Sequence, residues 1–123
     1  MDLKGKLRFP VATGSQVYRI SIVRADGVRS RYVGETRDFE VRFRGYRNPG
    51  PTQWTNLRIN KLCLDVLRDF GRIEIEVIDD AWLEINGIEG QAFFDSKYVR
   101  RLIESLIVAT SNAADVEVLN SGA

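Results

Sequence analysis

Gln16-Val17-Tyr18-Arg19-Ile20-Ser21-Ile22-Val23, the punctuation Ala25-Asp26-Gly27 and the run Val28-Arg29-Ser30-Arg31-Tyr32-Val33-Gly34 decide the fold. The first run is rich in β-branched residues and predicts a strand over residues 16–23. Asp-Gly is a turn signal, and residues 28–34 predict a second strand, so the two form an antiparallel hairpin. Tyr18 and Tyr32 then lie on neighbouring strands, where their rings can meet on one face.

Beyond the hairpin, Thr36 is placed to cap a short helix over about residues 37–46, with Asp38 and Glu40 in its first turn. Asn48-Pro49-Gly50-Pro51 breaks that helix. A longer helix is expected from about Asn56 to Phe70, where Ile59, Leu62, Cys63, Val66, Leu67 and Phe70 recur as a core-facing stripe. Cys63 reads as a small core residue within it, and Gly71 is expected to stop the helix. Arg72 to Asp79 alternates, with Ile73, Ile75 and Val77 on one face and Glu74 and Glu76 on the other: a half-buried strand. A loop through Trp82 to Gln91, a helix from about Asp95 to Thr110 and a short β-like piece from Val116 to Leu119 complete the chain. The order β-β-α-α-β-α predicts an α+β fold, with a small, mainly antiparallel three-stranded sheet flanked by helices.

The 123 residues fit one domain spanning residues 1–123, and 44% hydrophobic with 28% charged residues marks an ordinary globular composition. One cysteine excludes an internal disulfide. No apolar run reaches the roughly 18 residues of a membrane span, and the first residues lack the apolar stretch of a signal peptide. A cytoplasmic protein is the default expectation. Histidine is absent, so Ser-His-Asp and Cys-His catalysis are excluded and acid–base chemistry falls to Tyr, Arg, Lys, Asp and Glu. The net charge of +1 hides a division: residues 1–72 carry 15 Lys/Arg against 7 Asp/Glu, and residues 73–123 carry 3 against 10. Eight arginines and no lysine stand from Arg19 to Arg47. The planar guanidinium suits phosphate, so the first half can present a surface for a polyanion, although a merely solvated charged surface gives the same counts.

Taken together the segments resemble the GIY-YIG nuclease superfamily. Gln16-Val17-Tyr18 and Tyr32-Val33-Gly34 stand where that family has its two name tripeptides. Tyr32 to Phe43 follows its strand, turn and arginine-bearing helix. Glu104-Ser105-Leu106-Ile107 resembles the helix carrying its metal-binding glutamate, and Val118-Leu119-Asn120 its terminal asparagine. The likeness runs from about Val17 to Asn120. Two departures stand out: Gln16 replaces a glycine, and Tyr46 stands about where many members carry a histidine, which leaves the proton-transfer residue open.

The resemblance implies an endonuclease hydrolysing phosphodiester bonds in DNA, with RNA left open, using one Mg²⁺ or Mn²⁺. Glu104 would be its single protein ligand, waters filling other positions. Arg42 would stabilise charge on the phosphate. Tyr18 would take a proton from the attacking water, which needs Arg42, another cation or the metal to lower a phenol pKa of about 10. Tyr32 would orient the water or the phosphate, Tyr46 would complete the catalytic group, and Asn120 would position backbone or a metal-bound water. Gly34, Arg58 and Lys61, with Asn60 beside them, are candidate substrate contacts. With no visible recognition module, the chain would act with low specificity, self-associate as a homodimer or rely on a partner.

Duller readings stand beside these. The two strand tyrosines can be ordinary sheet residues, Arg42 a surface arginine, Glu104 an ion-pair partner of Arg100 or Arg101, and Asn120 a turn residue. A nucleic-acid-binding module of the same fold that cuts nothing, or a protein-interaction domain using its acidic half, are the competing functions.

Overall fold

The computed structural model describes residues 5–10, 12, 14–78, 82–85, 87–91, 94–110 and 116–120. The strands β1 (Gln16–Val23) and β2 (Arg29–Thr36) are followed by the helices α1 (Phe39–Arg47) and α2 (Trp54–Arg68) and the strand β3 (Arg72–Ile78). Then come β4 (Trp82–Ile85), β5 (Ile88–Gln91), helix α3 (Lys97–Thr110) and β6 (Val116–Val118). The fold is α+β, and β1 is the centre of an antiparallel three-stranded sheet, flanked by β2 and β3.

The sheet and hairpin go beyond the expected three strands. β6 adds to the outer edge of β2 in parallel, with Arg31 opposite Val118. β4 and β5 pair as a separate antiparallel hairpin, where the sequence predicts a loop. Three or four residues per strand, with acids inside them, give too short a period-two signal to separate strand from loop. Asp79, the expected end of the third strand, lies outside the described residues. Among the described residues, no helix is long and apolar enough to cross a membrane.

The hairpin turn follows the reading. Gly27 N–H donates to Arg24 O at 2.9 Å, and Asp26 Oδ1 accepts Val28 N–H at 3.0 Å. Pairing Tyr18 with Gly34 and with Val77, and Ile20 with Tyr32 and with Ile75, puts all of these on one face of the sheet. That face buries Tyr18, Ile20 and Ile22 against Phe39, Phe43 and Tyr46 of α1 and Ile59, Cys63 and Val66 of α2. Leu7 is also buried there, and Phe9 meets Phe43 edge-on at 5.1 Å. The other face carries Val17 and Val33, which pack with Ile103 of α3 and Phe94. It also carries Arg19, opposite Glu76, whose carboxylate accepts from the Arg19 guanidinium at 2.6 and 2.7 Å.

Two helix boundaries differ from expectation. The residue capping α1 is Asp38, not Thr36: Asp38 Oδ1 accepts Val41 N–H at 3.2 Å, and Thr36 Oγ1 accepts Asp38 N–H at 3.1 Å. Carboxylate and hydroxyl thus divide the orphan donors between them. α2 ends at Arg68, and Phe70, expected in the core stripe, adopts φ 63° and is 93% exposed. The left-handed residue is therefore Phe70, and Gly71 serves a different need. A Cβ on Gly71 would lie 2.5 Å from Val23 O and 2.6 Å from Val66 Cγ1, so glycine is required for β3 to leave α2 close against β1.

Candidate active site

The hairpin and α1 bring three phenols and a guanidinium together. Tyr18 comes from the middle of β1, Tyr32 from β2, and Arg42 and Tyr46 from successive turns of α1. The Tyr18 ring crosses to its cross-strand partner Gly34, where a Cβ would fall within 2.9 Å of Tyr18 Cε2 and closer still to Cζ and the hydroxyl. Gly34 was expected to contact substrate. It is buried, and the Tyr18 ring covers its α-carbon, so its lack of a side chain is what lets the first tyrosine lie across the second strand. Phe39 and Phe43 hold the ring edge-on, with centroids at 6.0 and 4.9 Å.

The hydroxyls cluster. Tyr18 and Tyr46 are hydrogen-bonded to one another, and Tyr32 and Arg42 lie close enough for their charges to act on both. Burial raises the Tyr18 pKa far above the usual phenol range, and the neighbouring Tyr46 oxygen adds to it; Arg42 lowers it, as the base role requires, but is outweighed. Burial likewise raises Tyr46, followed by the Tyr32 oxygen. Tyr32 is raised by burial and pulled back by the neighbouring Tyr46 hydroxyl and by Arg42. Tyr18 and Tyr46 are 0% exposed, while Tyr32 is only partly buried. Tyr32 is thus the phenol of the cluster that reaches solvent.

Glu104 lies on α3, which packs on the opposite face of the sheet, and its charge acts on Tyr32 and on Arg42. Burial raises its pKa, the Glu35 carboxylate raises it further, and Arg101 and Arg42 pull it down. The ion pair of Arg100 is with Glu35, not Glu104. Its Nε donates to Glu35 Oε2 at 2.8 Å, and Nη1 donates to Phe94 O at 2.6 Å and Asp95 O at 3.1 Å. Glu35 was not singled out from sequence, and Arg100 only as a partner for Glu104. The available signal was period two along β2, which puts Glu35 on the α3 face, opposite to Tyr32 and Gly34.

Asn120 takes the backbone alternative of its expected role. Its Oδ1 accepts Val33 N–H at 2.9 Å and its Nδ2 donates to Val33 O at 2.6 Å, so one side chain replaces a neighbouring strand at the β2 edge next to Tyr32. Arg58 donates to Leu119 O at 3.1 Å, which anchors the same terminal segment, and its charge also acts on Tyr32. Asn60 donates to Tyr46 O at 2.8 Å and braces the two helices. Lys61 lies on the exposed side of α2.

As for a metal, there is no group of three or more His, Cys, Asp or Glu among the described residues. Glu104 is half-buried and crowded by the charge of Glu35, and a cation there would relieve both penalties. That donor suits a hard, hydrated ion that asks for one or two carboxylates. Compared with known proteins, the chain matches no family model, no curated protein and no solved structure.

Proposed function

We propose that the chain is a metal-dependent endonuclease of GIY-YIG type, acting on phosphodiester bonds in DNA. The observation that carries this reading is the electrostatic coupling of the hydrogen-bonded Tyr18–Tyr46 pair, Tyr32, Arg42 and Glu104, drawn from four separate elements. Five ionisable side chains drawn out of water cost folding energy, and such a cluster is characteristic of chemical sites.

In this reading Glu104 holds a Mg²⁺ or Mn²⁺ ion, which when bound supplies charge neutralisation at the phosphate and leaving oxygen. Arg42, half-buried beside the phenols, faces the non-bridging oxygens and stabilises the charge that grows there. Tyr32 meets the attacking water, in place of the Tyr18 expected from sequence, because Tyr18 is enclosed and keeps its proton. Arg42 and Arg58 support negative charge on the Tyr32 oxygen. Asn120 fixes the β2 edge from which Tyr32 projects.

The test is incubation of purified protein with supercoiled plasmid and Mg²⁺ or Mn²⁺, beside EDTA, Arg42→Ala and Glu104→Ala. Nicking that disappears in all three controls supports the reading. Cleavage that survives both substitutions sinks it, and tight DNA binding without cleavage under any metal identifies a binding module.

A further inference from the structure

Trp54, Arg58, Lys61, Asp65 and Arg68 recur along α2 at i, i+4, i+7, i+11 and i+14, a single line on one side of the helix. All five are exposed, whereas Ile59, Cys63 and Val66 hold the opposite side in the core. The indole of Trp54 is 74% exposed, which forfeits the burial that makes this side chain valuable in a fold. At 1.5 Å per residue the line is about 21 Å long. Arg58 ties it to the site: its guanidinium donates to Leu119 O, beside the Asn120 that holds Val33 next to Tyr32. Beyond Arg58 the line forms one wall of a groove of about 840 Å³, whose other wall is the β1–β2 turn carrying Arg24. Four cations line the groove, Arg24, Arg58, Lys61 and Arg68, against Asp26, Asp65 and Asp69. Asp26 is engaged by Val28 N–H.

An aromatic platform followed by spaced cations matches an unpaired strand, in which a base can leave its neighbours and lie on the indole while successive phosphates meet the cations. A continuous duplex keeps its bases stacked on one another and has none to offer. We infer that the α2 ridge and its groove bind an unpaired nucleic-acid strand flanking the scissile phosphate. Trp54 stacks on a base, and Lys61, Arg68 and Arg24 contact phosphates. This rests on the nuclease reading of the site and narrows its substrate to nucleic acid with a single-stranded stretch beside the cut.

The experiment is fluorescence anisotropy in EDTA with a labelled single-stranded oligodeoxyribonucleotide, its blunt duplex and the RNA equivalent, beside sedimentation with phosphatidylserine vesicles. The single strand is expected to bind more tightly than the duplex. Trp54→Ala weakens it about tenfold at unchanged salt dependence. Lys61→Gln with Arg68→Gln flattens the slope of log K against log salt by about 0.7 for each phosphate left without its cation. RNA bound as well as DNA supports the inference, since stacking and phosphate contact are common to both. Equal affinity of Trp54→Ala and wild type, preference for duplex, or binding to vesicles alone overturns it. Strand binding that depends on Trp54 without any cleavage by wild type sinks the nuclease reading and leaves the track. Cleavage that depends on Arg42, with strand binding indifferent to Trp54, does the reverse.

Discussion

Replacing Arg100 by methionine keeps most of the side-chain volume and removes the guanidinium from a position where the side chain is 4% exposed. Three acceptors lose their donor: the Glu35 carboxylate and the carbonyls of Phe94 and Asp95. Breaking a buried ion pair from one side costs about 3–5 kcal/mol. The Glu35 side chain is 17% exposed and recovers some hydration, so the lower end, about 3 kcal/mol, is expected. With 123 residues and an unfolding entropy of about 2.1 cal/mol/K per residue, that loss lowers Tm by about 12 °C. Glu35→Gln alone strands the guanidinium and is also destabilising. The double variant is less damaged than the sum of the singles, by about 1–2 kcal/mol, because no uncompensated charge is left. Urea and thermal unfolding followed by circular dichroism read all four proteins. A single Arg100→Met cost under about 0.5 kcal/mol, or singles that simply add, would refute the argument.

Gly34→Ala pushes a methyl group into the Tyr18 ring and is expected to cost about 1–3 kcal/mol in urea unfolding, with loss of activity through the displaced Tyr18–Tyr46 pair. Asn120→Ala removes both bonds to Val33 and should cost about 1–2 kcal/mol and speed amide exchange at Val33. Burial pushes the Cys63 thiol up to about 12, so a thiol-specific reagent should modify it only as fast as the protein unfolds. Glu104 has a folded pKa above its unfolded value, so ionisation opposes folding, and its penalty is absent below the unfolded pKa and grows as pH rises through the folded one. Glu104→Gln is therefore more stable than wild type near neutral pH and equal to it in acid. Mg²⁺ raises the Tm of wild type and leaves that of Glu104→Gln unchanged, which differential scanning fluorimetry reads.

The hairpin, the two long helices and the third strand were legible because each carries a full period: alternation in Arg72–Ile78, and a stripe through Ile59, Cys63 and Val66. The β4–β5 hairpin was not, since four residues per strand give at most two repeats. Phe70 was misplaced because a helical stripe is extrapolated beyond the turn where the chain turns left-handed. At the site, Tyr18, Tyr32, Arg42, Tyr46 and Glu104 were all named from sequence; Tyr18 and Tyr46 are hydrogen-bonded, and the charges of the others act on the group. Their protonation was not legible. Whether Arg42 or burial governs Tyr18 depends on Phe39 and Phe43 packing against the ring, and that is a property of the packed core. The Arg100–Glu35 pair was hidden for a similar reason: its 65-residue separation is bridged only when α3 packs on the outer face of β2.

Single-turnover cleavage of a labelled DNA carrying a single-stranded stretch, with affinity measured in parallel, tests the proposed activity most directly. Arg42→Ala should bind within a few fold of wild type and cleave about 10²–10³ times more slowly, the loss typical of one preorganised transition-state contact. Glu104→Gln should lose metal-dependent cleavage altogether. Wild-type rates in either variant, or a rate loss matched by an equal loss of affinity, would contradict the assignment of these two side chains to the chemical step.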